Sequence, residues 1–246
     1  MTRLADLKVK IFADGADLDG IVKMAKNPLI KGFTTNPSLM RKAGVTDYES
    51  FARKMIAAVP DRPISFEVFA DDFASMAEQA RTIAEWGRNV NVKIPITDTK
   101  GQSSAELIRA LSAEGVSLNI TAIFTLDQVR TVANALDRNT PAIVSVFAGR
   151  IADTGMDPIP HMLACKQILR DRPQAQLLWA STRELLNIFH AEESGCDIVT
   201  VPNEFLNKLD LIGKDLVEYS RETVQMFYRD ASSAGFAITT KRVAAE

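Results

Sequence analysis

The chain has 246 residues, 46% of them hydrophobic and 24% charged, which is typical of a soluble globular protein with one large α/β domain or two small ones. The 29 Lys and Arg against 31 Asp and Glu give a net charge of -2, which argues against nonspecific nucleic-acid or membrane binding. The N-terminal sequence MTRLADLKVKIF lacks the apolar stretch of a signal peptide, and no apolar run could span a bilayer. We therefore expect a cytoplasmic protein.

The two cysteines, Cys165 and Cys196, form no CxxC motif and have no histidine pair nearby in the sequence. A disulfide framework or a zinc site is therefore not expected. We interpret both as small buried hydrophobic residues.

Short strand-like runs alternate with amphipathic segments along the whole chain, which is the pattern of βα units around a parallel sheet. The predicted strands cover residues 9–14, 29–36, 63–70, 89–96, 117–124, 142–149, 175–181 and 197–202. The predicted helices between them cover residues 18–25, 47–59, 73–86, 103–113, 126–136, 158–170, 183–193 and 204–209. A final helix is predicted within residues 213–238, followed by a short polar tail.

Eight such units in about 250 residues predict an α/β protein with a (β/α)₈ TIM barrel and an additional C-terminal helix. No Pro-, Gly- or Ser-rich linker divides the chain, so residues 1–246 are predicted to form a single domain. An open doubly wound sheet is the competing architecture. Against it, the chain has neither a GxGxxG motif after the first strand nor a GxxxxGK[ST] loop.

The strand NVNVKIPIT, residues 89–97, carries a single lysine, Lys93, between apolar residues. Its apolar side chains alternate, so Lys93 lies on the face opposite to them. If the apolar face packs under a helix, Lys93 points into the interior, where an ammonium is costly unless paired and tends to lose its proton. A neutral amine attacks carbonyl carbon. The alternatives are a lysine that reaches solvent at a strand end, or a buried ion pair.

The same assignment, with the apolar face of each strand outward, predicts a polar barrel interior. It places Ala122 outside with the other apolar residues of its strand. The residues predicted to point inward are Asp14, Thr34, Asn36, Ser65, Glu67, Asn91, Lys93, Asn119, Thr121, Ser145, Phe147, Trp179, Ser181 and Thr200. This set is too polar for a core and predicts a pocket near the C-terminal strand ends. Taken singly, Asp14 could instead cap the next helix and Glu67 could face outward.

Two arginines, Arg150 and Arg183, follow closely after predicted strand ends. At that position they could clamp a phosphate, with Ser181 as a further donor. The alternative for each is a surface ion pair, and Arg150 could pair with Asp153.

Seven stretches of the chain, in order, resemble the transaldolases and the fructose-6-phosphate aldolases. The total length and the compact loops of the chain resemble the small-transaldolase branch. The most specific are FTTNPS (residues 33–38) and VKIP (92–95). The others are FADGADLD (12–19), SLNITAIF (117–124), VFAGRIADTG (146–155), WASTR (179–183) and GCDIVTVP (195–202). The resemblance covers nearly the whole chain.

The resemblance implies a Schiff-base mechanism in a TIM barrel, with no metal and no cofactor. Lys93 would attack the keto carbon of a ketose phosphate and form an imine. Asp14 would take the proton of the C4 hydroxyl during cleavage of the C3–C4 bond. Glu67, with a water held by Thr121, would form and hydrolyse the imine.

The resemblance also implies substrate-binding residues and an assembly. Arg150 and Arg183 match phosphate ligands. The residues that match positions orienting the hydroxyls are Thr34, Asn36, Asn119 and Ser181. Relatives of this size often form pentamers and decamers, so a homo-oligomer is expected, and an apolar stripe on the final helix, with Phe227 at its centre, would cover the barrel or a neighbouring subunit.

Within the family, Glu67 and Phe147 resemble the transaldolase choice, since the aldolases typically carry Gln and Tyr there. The resemblance therefore implies transfer of a dihydroxyacetone unit to an aldose phosphate. Two departures, Gly15 and Thr182, leave the donor and acceptor open, including a related anionic ketose. The alternatives are an aldolase that releases dihydroxyacetone and a noncatalytic sugar-phosphate binding protein.

Overall fold

The structure, a computed structural model, describes residues 4–239. Eight parallel strands close into a barrel in sequence order, and each strand is followed by at least one helix. This is the predicted (β/α)₈ TIM barrel. The alternative of an open sheet is wrong, because β1 pairs in parallel with both β2 and β8.

The strands are Lys10–Asp14 (β1), Ile30–Thr34 (β2), Ile64–Glu67 (β3), Val90–Pro95 (β4), Leu118–Ile123 (β5), Ala142–Val146 (β6), Ala175–Trp179 (β7) and Ile198–Pro202 (β8). The helices are Leu18–Ala25 (α1), Pro37–Lys42 (α2), Tyr48–Ala58 (α3), Phe73–Ala84 (α4), Ala105–Ala113 (α5), Leu126–Ala135 (α6), Ala148–Asp153 (α7), Pro158–Ile168 (α8), Leu186–Glu193 (α9), Asn203–Leu206 (α10) and Leu216–Ser233 (α11). Short 3₁₀ turns cover Leu4–Asp6, Leu169–Asp171 and Leu209–Leu211.

Two helices, α2 and α7, were not predicted from the sequence. Each has six residues, fewer than two full turns, so neither produces a helical periodicity that can be recognised. The start of α2 does carry a local signal, because Asn36 caps it and Pro37 occupies its first turn. Both helices follow strands of the barrel and contribute residues to the cavity described below.

The apolar core lies between the strands and the surrounding helices. Phe33, Ile64, Phe66, Ile94 and Ile120 have no exposed surface, as expected for strand faces covered by helices. The alternation read from the sequence therefore assigned these five side chains to the outer face correctly.

Apolar side chains also fill part of the barrel interior. Phe12 of β1 packs with Ile143, Leu178 and Ile198. Gly32, on the neighbouring strand, makes room for the ring, since a Cβ there would lie 2.5 Å from a carbon of Phe12. The interior is thus closed at the level of Phe12, and open space remains toward the C-terminal strand ends.

The described residues form two compact units, a barrel unit that ends at Asn207 and a C-terminal unit that begins at Lys208. In the second unit, α11 spans Leu216–Ser233, inside the predicted range of 213–238. The predicted polar tail lies, from residue 240 on, outside the described residues. Across residues 4–239, no helix has both the length and the apolar character needed to cross a membrane.

Candidate active site

A cavity of about 320 Å³ opens at the C-terminal ends of the strands. Every residue predicted to act in catalysis or to bind substrate lines it, except Arg183. The lining consists of Asp14, Thr34, Asn36, Pro37, Ser38, Glu67, Lys93, Asn119, Thr121, Ala122, Ser145, Phe147, Arg150, Leu178, Ala180, Ser181 and Thr200. In a TIM barrel this end is where ligands and substrates bind.

Lys93 lies near the middle of β4, and only 7% of its surface is exposed. Its Nζ is 3.1 Å from Oε2 of Glu67 and donates a hydrogen bond of 2.8 Å to the carbonyl of Thr35. Glu67 is its register partner on β3, which explains the pairing. The alternative in which Lys93 reaches solvent is wrong. The carboxylate and the carbonyl offset the cost of burying the amine and fix its position.

Asp14, the last residue of β1, accepts a hydrogen bond of 2.7 Å from the Thr34 hydroxyl. The Thr34 hydroxyl also lies 2.5 Å from that of Thr200, so β1, β2 and β8 meet here. Burial raises the pKa of Asp14 above its ordinary value, and the Thr34 hydrogen bond and the charge of Lys93 oppose that rise. The alternative role of Asp14 as a helix cap is wrong, because Asp17 caps α1.

Glu67 closes β3 and presents its carboxylate to Lys93, so the alternative of an outward-facing Glu67 is wrong. Its backbone is held from outside the strand. The Tyr48 hydroxyl accepts a hydrogen bond of 2.8 Å from the Glu67 N–H and donates one of 3.0 Å to the Glu67 carbonyl. Sequence reasoning missed Tyr48, because it lies at the start of α3, where strand alternation carries no information.

Asn119 has no exposed surface and lies beside Lys93 in the register of β4 and β5. Its Nδ2 donates to Ser65 Oγ at 2.9 Å, and its Oδ1 accepts from Ser145 Oγ at 2.6 Å. These two serines, on β3 and β6, fix which way the amide faces. Asn36 is oriented differently, since its Oδ1 accepts from the Leu39 N–H and caps α2.

Two residues of the rim have positive φ, Ala122 at 59° and Ser181 at 61°. This conformation is uncommon outside glycine and breaks the alternation of a strand. As a result both Thr121 and Ala122 line the cavity, as do both Ala180 and Ser181. The prediction that Ala122 faces outward is therefore wrong, since β5 has an irregular register between Ile120 and Ile123.

One further inward assignment is wrong. Trp179 is fully buried and its ring lies 6.1 Å from that of His190 on α9, so it packs outside the barrel. On β7 it is Leu178 that faces the interior. β7 is apolar on both faces, so its sequence does not show which side chains point into the barrel. Asn91 shares a separate, smaller cavity with Phe12 of the barrel interior, so its inward assignment is not contradicted, but it does not line the cavity that contains Lys93.

The two arginines differ in their surroundings. Arg150, in α7, borders the cavity, and its guanidinium carbon lies 5.0 Å from the centre of the Phe147 ring. Arg183 instead forms a salt bridge with Asp153, with the closest N–O distance at 2.6 Å. Asp153 therefore forms its salt bridge with Arg183 and not with Arg150, the alternative considered from the sequence. The hydrogen bonds that Arg183 donates lower the pKa of the Asp153 carboxyl below its ordinary value.

Comparison with known proteins shows the family of the chain. Residues 11–244 match the profile of the Transaldolase/Fructose-6-phosphate aldolase family. A "Probable transaldolase" of Dehalococcoides mccartyi is 37% identical over 202 residues, covering 82% of this chain and 90% of the relative. A "Probable transaldolase" of Methanococcus maripaludis is 34% identical over 202 residues, covering 82% and 89%.

Among solved structures, the chain resembles 2,3-dimethylmalate lyase, a PEP mutase/isocitrate lyase superfamily member, with a TM-score of 0.54. The alignment covers 99% of this chain and 92% of that one at 14% identity, so it supports the barrel fold alone.

The barrel and the named relatives define an enzyme of the aldolase or transaldolase class. The chain belongs to the transaldolase/fructose-6-phosphate aldolase family.

Proposed function

We propose that the protein is a transaldolase that moves a dihydroxyacetone unit from a ketose phosphate, such as fructose 6-phosphate, to an aldose phosphate through a Schiff base on Lys93. The observation that carries this proposal is a nearly buried lysine, 3.1 Å from the Glu67 carboxylate, inside a polar cavity at the catalytic end of the barrel.

The first step forms the imine. The attacking amine must be neutral, and Glu67 is close enough to take the proton of Lys93 directly or through a water. The Lys93 nitrogen then bonds to the C2 carbonyl carbon of the ketose, and the carbonyl oxygen leaves as water. We propose that Thr121, which also lines the cavity, holds the water that carries protons between Glu67 and the substrate.

The second step breaks the C3–C4 bond. Asp14 takes the proton of the C4 hydroxyl, and the electrons of the bond move into the protonated imine, which becomes an enamine. A three-carbon aldose phosphate leaves. A raised pKa suits Asp14 to this exchange, since a base works best when its pKa approaches the operating pH.

The third step transfers the enamine to the acceptor. The enamine carbon attacks the aldehyde, Asp14 returns the proton to the new hydroxyl, and water hydrolyses the imine to release the product and Lys93. These steps move protons and carbon only, so they require no redox cofactor. Thr34, Asn36, Asn119 and Ser181 are proposed to orient the hydroxyls of the dihydroxyacetone unit, and the fixed amide of Asn119 supplies a preorganised contact.

The phosphate is proposed to bind at Arg150, whose guanidinium is held against Phe147 at the rim. Arg183 is proposed as a second ligand. Since Arg183 is bound by Asp153, the substrate anion would compete with that carboxylate for the guanidinium. A related anionic ketose that makes the same contacts is the alternative donor.

Glu67 and Phe147, which both border the cavity, support transfer of the dihydroxyacetone unit to an acceptor in preference to its release. Phe147 packs against Phe124, with ring centres 5.5 Å apart, and presents an apolar surface without a hydroxyl. A wall of this kind offers no hydroxyl to deliver a proton to the enamine, which favours its survival until an acceptor arrives.

The test supplies the protein with fructose 6-phosphate and erythrose 4-phosphate and follows the products by mass spectrometry. We expect a seven-carbon ketose phosphate and a three-carbon aldose phosphate in equal amounts, and no product from the Lys93→Met variant. Release of free dihydroxyacetone without the seven-carbon product would show an aldolase. Binding of fructose 6-phosphate without turnover would show a noncatalytic protein.

A further inference from the structure

The barrel is incompletely paired between β2 and β3, next to the proposed acid–base residue. The register of these strands consists of Phe33 with Ile64 and Thr34 with Ser65, and it ends there. On the other side, β3 stays paired with β4 as far as Glu67 opposite Lys93. The two strands therefore separate on one side of Glu67 only.

The backbone of Glu67 faces this gap. The N–H groups of Ile64 and of Val68, which follows β3, donate to the carbonyls of Asn89 and Lys93 on the β4 side. Because the backbone groups of successive strand residues alternate in direction, those of Glu67 point toward β2. β2 ends at Thr34, and the next residue does not pair with the backbone of Glu67. The Thr35 carbonyl accepts a hydrogen bond from Lys93, and the Thr35 hydroxyl donates one to the Ser65 carbonyl. Without another partner, the N–H and carbonyl of Glu67 would be left unpaired.

The Tyr48 hydroxyl bonds to both groups, at 2.8 Å and 3.0 Å, and so takes the place of the missing strand residue. Its ring is fixed by other aromatic side chains. The ring centres of Phe69, Trp86 and Phe66 lie 4.6, 5.5 and 6.1 Å from that of Tyr48. Burial raises the pKa of the Tyr48 hydroxyl above its ordinary value, so it keeps the proton that it donates.

We propose that Tyr48 is a positioning residue, which holds the backbone of Glu67 so that its carboxylate stays within reach of Lys93. The proposal rests on the proposed Schiff-base function. Tyr48 touches no reacting atom. It acts through Glu67, and loss of its hydroxyl lets the end of β3 relax and the 3.1 Å contact loosen.

The test measures transaldolase rates for Tyr48→Phe, which keeps the ring and removes the hydroxyl. We expect kcat to fall by roughly 10-fold, as for a small misplacement of a catalytic group, with KM for the donor unchanged. Tyr219→Phe makes the same change on a tyrosine with 43% of its surface exposed and should leave kcat unaltered. Trp86→Phe perturbs the aromatic packing but keeps both hydrogen bonds, and should lower kcat less than Tyr48→Phe.

The decisive readout is a double-mutant cycle with Glu67→Ala, measured as the single-turnover rate of borohydride trapping. If Tyr48 acts through Glu67, Tyr48→Phe should change the rate by less than about twofold in the Glu67→Ala background. The same loss in both backgrounds, an unchanged kcat for Tyr48→Phe, or an equal loss for Trp86→Phe would overturn the proposal. Failure of the wild-type protein to form any Lys93 adduct would refute the proposed function itself, together with the role of Tyr48.

Discussion

Lys93 and Asp14 lie in the same cavity but are stabilised differently. Lys93 has a carboxylate at 3.1 Å, whereas Asp14, within residues 4–239, has a hydroxyl as its nearest partner. The buried aspartate therefore destabilises the folded protein when it ionises, and the raised pKa expresses that cost. Such a cost is common at active sites, where function competes with stability.

Replacing Asp14 by Asn should raise stability and abolish activity. In the wild type, the protonated form of Asp14 stabilises the folded protein. This stability is lost as the pH rises from 3.8, the ordinary pKa of the carboxyl, through the raised pKa of Asp14, because the folded protein then loses the proton. We expect Asp14→Asn to melt at a higher temperature at neutral pH, with the difference shrinking as the pH approaches 3.8, and kcat to fall at least about 100-fold.

The matched control is Asp153→Asn, because Arg183 lowers the pKa of that exposed carboxyl. Its contribution is present at neutral pH and is lost as the pH falls, so the variant should show the opposite trend. Thermal melting across pH checks both variants. A melting difference for Asp14→Asn that is the same at every pH would show that the ionisation of Asp14 does not destabilise the folded protein.

Much of the site was predictable at this scale, because alternation around a single lysine implies an interior face. The alternation of apolar and polar residues in their own strands predicted that Asp14, Glu67 and Asn119 face the interior. Tyr48 did not, since its contribution is made through the backbone of another residue. The engagement of Arg183 by Asp153 depends on a contact between residues 30 positions apart, which no local pattern reports.

At the scale of elements, the position of Ser181 depends on the packing of α7 against the end of β7. Gly149, in the first turn of α7, is buried, and its N–H donates to the Ala180 carbonyl at 3.2 Å. A Cβ at Gly149 would lie 1.5 Å from the carbonyl oxygen of Ser181. This contact involves backbone atoms, so a side chain cannot be accommodated by a rotamer change.

Gly149→Ala should therefore displace Ser181, and with it the segment that carries Arg150. We expect a loss of about 2 to 3 kcal/mol in unfolding free energy, as for overpacking, and a higher KM for phosphorylated donors. Gly155→Ala is the control. Its φ of 83° imposes backbone strain, but no atom lies within 4 Å of the added Cβ. Equal effects of the two substitutions, by chemical denaturation and by KM, would refute this view of α7.

Sequence patterns placed the strands well and failed where the backbone departs from regular geometry. Positive φ at Ala122 and Ser181 turns two successive residues into the cavity, which an alternating pattern cannot anticipate. Trp179 was misassigned for a different reason. Its strand is apolar on both faces, so the choice of inner face is made by packing against α9 and not by polarity.

At the scale of the whole molecule, strand order and closure follow from the repeated βα pattern, while the assembly does not. The prediction of a single domain stays a prediction. We propose that α11 mediates a homo-oligomer, because its exposed apolar side chains recur at helical spacing. Val217, Val224 and Tyr228 are 80%, 64% and 75% exposed, and Phe227 is 62% exposed.

Light scattering after size-exclusion chromatography tests this proposal. We expect a mass five or ten times the 27.0 kDa of the chain, and a marked loss of the assembly in Phe227→Glu. Gln225→Glu adds the same charge at a neighbouring polar position and should preserve the assembly. A monomeric wild type, or an assembly that survives Phe227→Glu, would contradict a role of this face.

Borohydride reduction in the presence of fructose 6-phosphate shows whether Lys93 forms the covalent intermediate. We expect peptide mass mapping to find a reduced dihydroxyacetone adduct on the peptide that contains Lys93, and no adduct in Lys93→Met. An adduct on a different lysine, an adduct that persists in Lys93→Met, or unmodified wild-type protein would contradict it.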